Sequence, residues 1–271
     1  ARKVYFRRVY ALGKLTLPSL VIAAISGGVV ARFIDYAYTW VKDALGKRSS
    51  AKALIDAHLD PILKAADAVI GKTKSLAGRD FELFMRHDKA AEKAGFNPDL
   101  IGLVYLYARL WGKFEILARQ SLGVSLSSDK RAVKLQQFVA CLGSPQIRLV
   151  NRTHQNAIGE LTTELSPTGE LRTIGVVEFQ QKIGGAAPAS VWCEPLVQLL
   201  ARSKEKAIRQ QLLVYGVVVH ALVDTLDPKH QSTHPREPYP NKLSETSKHE
   251  VKRLVFEEYL NSVGAINRYT Q

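Results

Sequence analysis

The chain's first long apolar stretch runs uncharged from Leu15 to Ala31, seventeen residues reading LTLPSLVIAAISGGVVA. As a helix it measures about 25 Å at 1.5 Å per residue, slightly less than a hydrocarbon core of ~30 Å. The continuation to Trp40 removes that shortfall. Arg32 can snorkel, and Tyr36, Tyr38 and Trp40 are amphipathic rings suited to the headgroup level. The pattern predicts an N-terminal transmembrane helix, with Leu15, Leu20, Ile22, Val29, Tyr36, Tyr38 and Trp40 as its anchor residues. A signal peptide ending near Val29-Val30-Ala31 and a buried globular helix are the alternatives.

Beyond Gly46–Ser50 the apolar positions recur at helical spacing. Asp60-Pro61 reads as an N-cap followed by proline at the first helical position, and Asn97-Pro98 repeats the device before a segment that stops at Gly123. Asp129 to Leu142 is amphipathic and ends at Gly143-Ser144-Pro145. Lys204 to Leu226 is a long core helix stopped by Asp227-Pro228. Leu161 to Ile174 reads as two short strands about Ser166-Pro167-Thr168-Gly169, a plain loop being the alternative. Pro228, Pro235, Pro238 and Pro240 mark a linker or extended arm. Ser247 to Glu250 reads as a capping box, opening a last helix with Val251, Leu254, Val255 and Tyr259 on one face. The expected fold is mainly α: a transmembrane helix within 1–48, a helical bundle over 49–227 with room for one short β-hairpin, a proline-rich linker over 228–246 and a C-terminal amphipathic helix over 247–271.

Composition narrows the class. Apolar residues make up 46% of the 271, enough for a core, which excludes wholesale disorder. Cys141 and Cys193 are the only cysteines, so there is no disulfide framework and no cysteine-based zinc site. The formal charge of +13 fits an anionic lipid surface as partner. Nucleic acid is the alternative, but no helix-turn-helix, RNP or zinc-finger pattern supports it. Five basic residues precede the apolar run and four follow it, which leaves the topology open.

The common catalytic signatures are absent: no Walker loop, GxGxxG, HExxH or GxSxG occurs. No cofactor and no metal is therefore expected. Two polar groups stand out. Arg152, Gln155 and Glu160 lie among apolar helical positions, and Glu115, on the Trp111 helix, is the acid expected opposite Arg152. Such charges usually pair in a structural network, a small-ligand pocket being the alternative. His220 and Asp224 share a helix face at i, i+4, a spacing that can hold a metal. His230 and His234 would have to fold back to join them; otherwise His220 is a buried histidine bonded to Asp224.

The segments LWGKFEIL at 110–117, RTHQNAIGEL at 152–161 and HALVDTLDP at 220–228, with the Asp60-Pro61 start, resemble an uncharacterised family of bacterial membrane-anchored proteins. Its members show a short span, a W-x-E-I-L segment, an R-x-x-Q-x-A-I-G-E-L motif and an H-A-L-x-D-x-L-D-P helix. The resemblance covers about residues 55–228. It implies a bacterial source, a single-pass inner-membrane location and a domain on the cytoplasmic side, but no activity.

These readings converge on a non-enzymatic, membrane-anchored helical binding or scaffold domain that serves a protein partner or membrane complex. Its rivals are a membrane-associated enzyme or effector with a ligand or metal site around Arg152, Gln155, Glu160 and His220, and a basic nucleic-acid-binding protein. Oligomeric state is not legible from the sequence.

Overall fold

One helix, α1, runs without a break from Leu17 to Gly78 in the computed structural model. The structure describes residues 17–81, 98–184, 189–238 and 242–270, with the backbone alone for 17–45, 47, 48 and 98. The chain divides into two units, Ala1–Ser49 and Ser50–Gln271. Among the described residues no helix is long and apolar enough to cross a membrane, so the expected transmembrane helix is not found there. Instead of ending at a boundary after Trp40, the helical backbone continues through Gly46–Ser50. Leu15 lies outside the described residues, as do the side chains of Leu20, Ile22, Val29, Tyr36, Tyr38 and Trp40.

The helix start expected at Asp60-Pro61 is also corrected. Pro61 is interior to α1, and Asp60 pairs with Lys64 one turn on, at 2.8 Å, rather than capping. An interior proline costs about 3 kcal/mol. The opposing gain is burial: Ile55, Ile62, Ala66, Val69 and Ile70 lie within 1% of full burial along the same helix.

In the second unit, α2 (Pro98–Gln120), α3 (Lys130–Leu142), α4 (Arg152–Leu161), α5 (Val176–Ile183), α6 (Ser190–Ala201) and α7 (Lys206–Leu226) surround one core. Asp129 caps α3 by accepting from the Arg131 and Ala132 amides, and Gly143 ends it. Gly123, at φ +84°, forms the turn after α2 that only glycine adopts without strain. The fold is mainly helical, and its one small sheet is the expected hairpin. Strands β1 (Thr163–Leu165) and β2 (Leu171–Thr173) pair antiparallel, with Thr163 opposite Thr173 and Leu165 opposite Leu171.

At the centre of the core the indole of Trp111 on α2 donates to the Tyr215 hydroxyl on α7 at 2.8 Å. Tyr107 meets Tyr215 edge-on at 5.7 Å. All three are at most 2% exposed, so the hydrogen bond satisfies a donor that has no route to water.

The last helix starts three residues before the expected capping box. Ser244 is the N-cap of α8 (Glu245–Glu250) and accepts from the Ser247 amide. Ser247 is buried inside the helix. The helix then widens into a π-helical turn over Val251–Glu257. One extra residue per turn brings Val255 and Phe256 to the same inner side, and both are fully buried, as is Val251. The chain closes with the short α9 (Asn267–Thr270), whose Tyr269 is 3% exposed.

Candidate functional site

Helix α4 carries the most distinctive motif of the sequence. Asn151 caps it, accepting from the His154 amide at 2.9 Å. Helical spacing then divides the motif. Gln155, Ile158 and Gly159 face inward, while Arg152, Thr153, Asn156 and Glu160 stay exposed. The ion pair joining α4 to α2 is Arg119–Glu160 at 3.0 Å, not the expected Arg152–Glu115. The reason is register: Arg119 stands one helical turn beyond Glu115 and takes the acid at the end of α4. Glu115 is half-buried, and burial, then the Glu160 carboxylate, pushes its carboxyl above the usual range; Arg119 and Arg152 act in the opposite sense. Gln155 is 7% exposed, and its Oε1 has no hydrogen-bond partner.

Between α4 and α6 lies an open groove of about 700 Å³, lined by Arg152, Thr153, Asn156, Ala157, Glu160, Leu161 and Trp192. The Trp192 ring packs at 5.6 Å from His154 and stays 41% exposed, and its neighbour Val191 is 67% exposed. Trp192 escaped the sequence reading. Its signal was nonetheless present: Cys193, Leu196 and Leu200 form the buried stripe of α6 at i, i+3, i+7, which leaves Val191 and Trp192 off the core face. A second surface cavity, about 600 Å³, opens between Gln146, the N-terminal half of α7 and Ser244–Glu250, and holds none of the candidate site residues.

The histidine cluster is a separate place. His220 on α7 is 1% exposed, and its Nε2 is 3.7 Å from Asp224 Oδ1, too far for the expected hydrogen bond. Asp224 instead accepts from the Tyr269 hydroxyl at 2.5 Å, with Arg268 at 3.3 Å and His230 at 3.6 Å. The proline-rich stretch folds back. Asp227 ends α7 and draws the chain into a loop, accepting from the Gln231 and Ser232 amides and the Thr233 hydroxyl at 2.8–2.9 Å. Farther on, His234 and Arg236 both reach Asp67 on α1, at 2.7 and 2.8 Å. Gly71 makes room for this, since a Cβ there would lie 3.0 Å from the Arg236 guanidinium.

Burial drives the His220 imidazole below the ordinary histidine range; Asp224 and the Arg236 backbone oppose the effect, and Arg268 and Lys74 add to it. At Asp67 burial works against the charge, but the hydrogen bonds from Arg236 and His234 outweigh it and hold the carboxyl below its usual range. Among the described residues no group of three or more His, Cys, Asp or Glu is arranged to hold a metal ion. The groove that includes Arg152 and Glu160 contains neither Gln155, His220 nor Asp224, so the two sequence-predicted groups do not meet in it. Comparisons with protein-family models, with curated proteins and with solved structures found no match to this chain.

Proposed function

We propose that the chain is a non-enzymatic helical binding domain, tethered to an anionic bacterial membrane, whose α4–α6 groove receives a segment of a protein partner. The observation that carries this reading is the pairing of an exposed indole, Trp192, with Arg152 across one groove. Among the described residues Arg152 makes no ion pair. Tryptophan and arginine are the side chains that most often anchor protein interfaces. The partner that fits carries an apolar side chain for Trp192 and a carboxylate for Arg152.

The tether rests on the sequence. Nine basic residues and two acids fall within the first 48 positions, around the uncharged run from Leu15. That asymmetry suits a bilayer bearing anionic headgroups. The resemblance to bacterial membrane-anchored proteins points the same way.

The test is a photo-crosslinking probe, benzoylphenylalanine, placed in the full chain at position 192 or at the control position 122, where Leu122 is 82% exposed. In native membranes the probe at 192 should give one defined adduct that disappears on adding Arg152→Glu. No adduct, or the same adducts from position 122, overturns the groove reading. Release of the full chain by an alkaline carbonate wash overturns the tether.

A further inference from the structure

The stretch from Asp227 to Pro238 and the chain end at Arg268-Tyr269 interlock over two acids on different helices. Asp67 on α1 is held by His234 and Arg236; Asp224 on α7 is held by Tyr269 and Arg268. The two halves are joined, because Arg268 also donates to the Arg236 carbonyl at 3.1 Å. Lys74 adds a bond to the Glu237 carbonyl at 2.9 Å. Beneath this lid lies His220, with the Tyr269 ring edge-on to it at 5.9 Å. Both ring nitrogens of His220 are buried without a hydrogen-bond partner.

We infer that residues 227–238 and α9 form a latch that acid opens, with His220 as its trigger. A buried imidazole is tolerated while neutral and becomes costly once charged. The groups facing it decide the direction. From α7 comes Asp224, whose Oδ2 is engaged by Tyr269 and Arg268 while its Oδ1, buried without a hydrogen-bond partner, stands 3.7 Å from His220. From α1 comes Lys74, from the strap His230, and from the chain end Arg268. Two of these neighbours are permanent cations, and Asp224 Oδ1 stands beyond hydrogen-bond reach at 3.7 Å, so a proton on His220 gains no hydrogen bond while the latch is closed. Lifting α9 and the strap lets water reach the ring.

The sign follows. With the His220 imidazole of the closed latch held below its ordinary value of 6.5, the open form takes up more protons, and latch stability falls as pH drops below about 6.5. His230 and His234 also stand beside acids, at 3.6 Å from Asp224 and 2.7 Å from Asp67, but His220 is the histidine with both ring nitrogens buried and without a hydrogen-bond partner among the described residues.

Hydrogen–deuterium exchange of the full chain at pH 7.4 and pH 5.0, corrected for intrinsic rate, tests this. Peptides covering 227–238 and 265–270 should exchange at least tenfold faster at pH 5.0, while the α7 interior at 212–219 stays protected. His220→Gln should abolish the difference. Should that variant not fold, the His220 ring resonance in the wild-type chain serves instead, and its titration must coincide with the loss of protection. Unchanged protection at pH 5.0, loss across the whole chain, or an acid response that persists in His220→Gln overturns the inference.

Discussion

Gly159 of α4 sits directly on the backbone of α2 at Gly112. A Cβ added at Gly159 would lie 2.9 Å from the Trp111 carbonyl carbon, and one at Gly112 would lie 2.2 Å from Thr162 Oγ1 and 3.0 Å from the Gly159 oxygen. Thr162 completes the crossing by donating to the Gly159 and Ala108 carbonyls at 2.7 and 3.2 Å. Backbone atoms cannot rotate out of the way, so a methyl group here forces the helices apart.

Gly159→Ala and Gly112→Ala should each destabilise the fold by about 1–3 kcal/mol, as overpacking does. The gain in helix propensity, about 1 kcal/mol for glycine to alanine, works against this without cancelling it. Denaturant titration of the two variants checks the sign. Adding Thr162→Ala to Gly112→Ala should recover part of the loss, because the nearest obstacle is the threonine oxygen.

A second expectation concerns the buried bond between Trp111 and Tyr215. Burial pushes the Tyr107 phenol up to about 12 and the Tyr215 phenol upward likewise, so both stay neutral and free to act in hydrogen bonds. Tyr215→Phe leaves the Trp111 N–H buried without an acceptor and should cost about 1–3 kcal/mol. Removing both partners with Trp111→Phe and Tyr215→Phe should cost less than the two single losses added together. A double-mutant cycle by chemical denaturation reads that coupling.

The helical class, the hairpin and the stops at Gly143 and Asp227 were legible because each rests on a local rule: periodicity, turn chemistry or a cap. The start at Asp60-Pro61 misled because a cap signal is local, whereas the burial of Ile55 and Ile62 on either side of it is not. The shift of the last helix from Ser247 to Ser244 has the same origin, since either serine could cap and packing chose between them. Prolines between 228 and 240 implied an arm, yet nothing in that stretch announces that Asp67, 167 and 169 positions earlier, is waiting for His234 and Arg236. The Arg152–Glu160 motif was found by its residues and misread in its pairing. Its inward half serves helix crossing through Gly159, and its outward half faces a groove whose tryptophan comes from another helix.

The pairing seen between α2 and α4 changes the expected cost of losing Arg152. It is exposed and unpaired among the described residues, so Arg152→Ala should change stability by less than about 0.5 kcal/mol. Arg119→Ala breaks the ion pair with Glu160, but both side chains are about half exposed, and the loss should stay within about 1 kcal/mol. A cycle between Glu115 and Arg152 should give a coupling below about 0.5 kcal/mol, since the two charges act on each other without forming an ion pair. Values above about 0.5 kcal/mol would restore the pairing that the register of α4 excludes.

Asp67 governs how the strap responds to strong acid. It is 7% exposed, accepts two bonds from Arg236 at 2.8 and 3.3 Å and one from His234, and these hold its carboxyl below the ordinary value of 3.8. Asp227 is lowered too: burial opposes the charge, but the Ser232 and Gln231 amides and the Thr233 hydroxyl outweigh it. A depressed carboxyl contributes stability that is present above its unfolded value and lost as pH falls through its folded value. The wild-type chain should therefore lose a second portion of its stability below about pH 4, distinct from the change near pH 6.5 that His220 produces. Asp67→Asn keeps the shape, removes the charge-assisted bonds and should cost about 1–3 kcal/mol at pH 7. Its penalty should shrink as pH falls below 3.8 and the wild-type carboxyl takes up its proton. Gly71→Leu should mimic it without touching the acid, since the added side chain occupies the space of the Arg236 guanidinium. Denaturant midpoints of the three proteins between pH 7 and pH 2 decide the matter: parallel curves for wild type and Asp67→Asn would show that the carboxylate does not hold the strap.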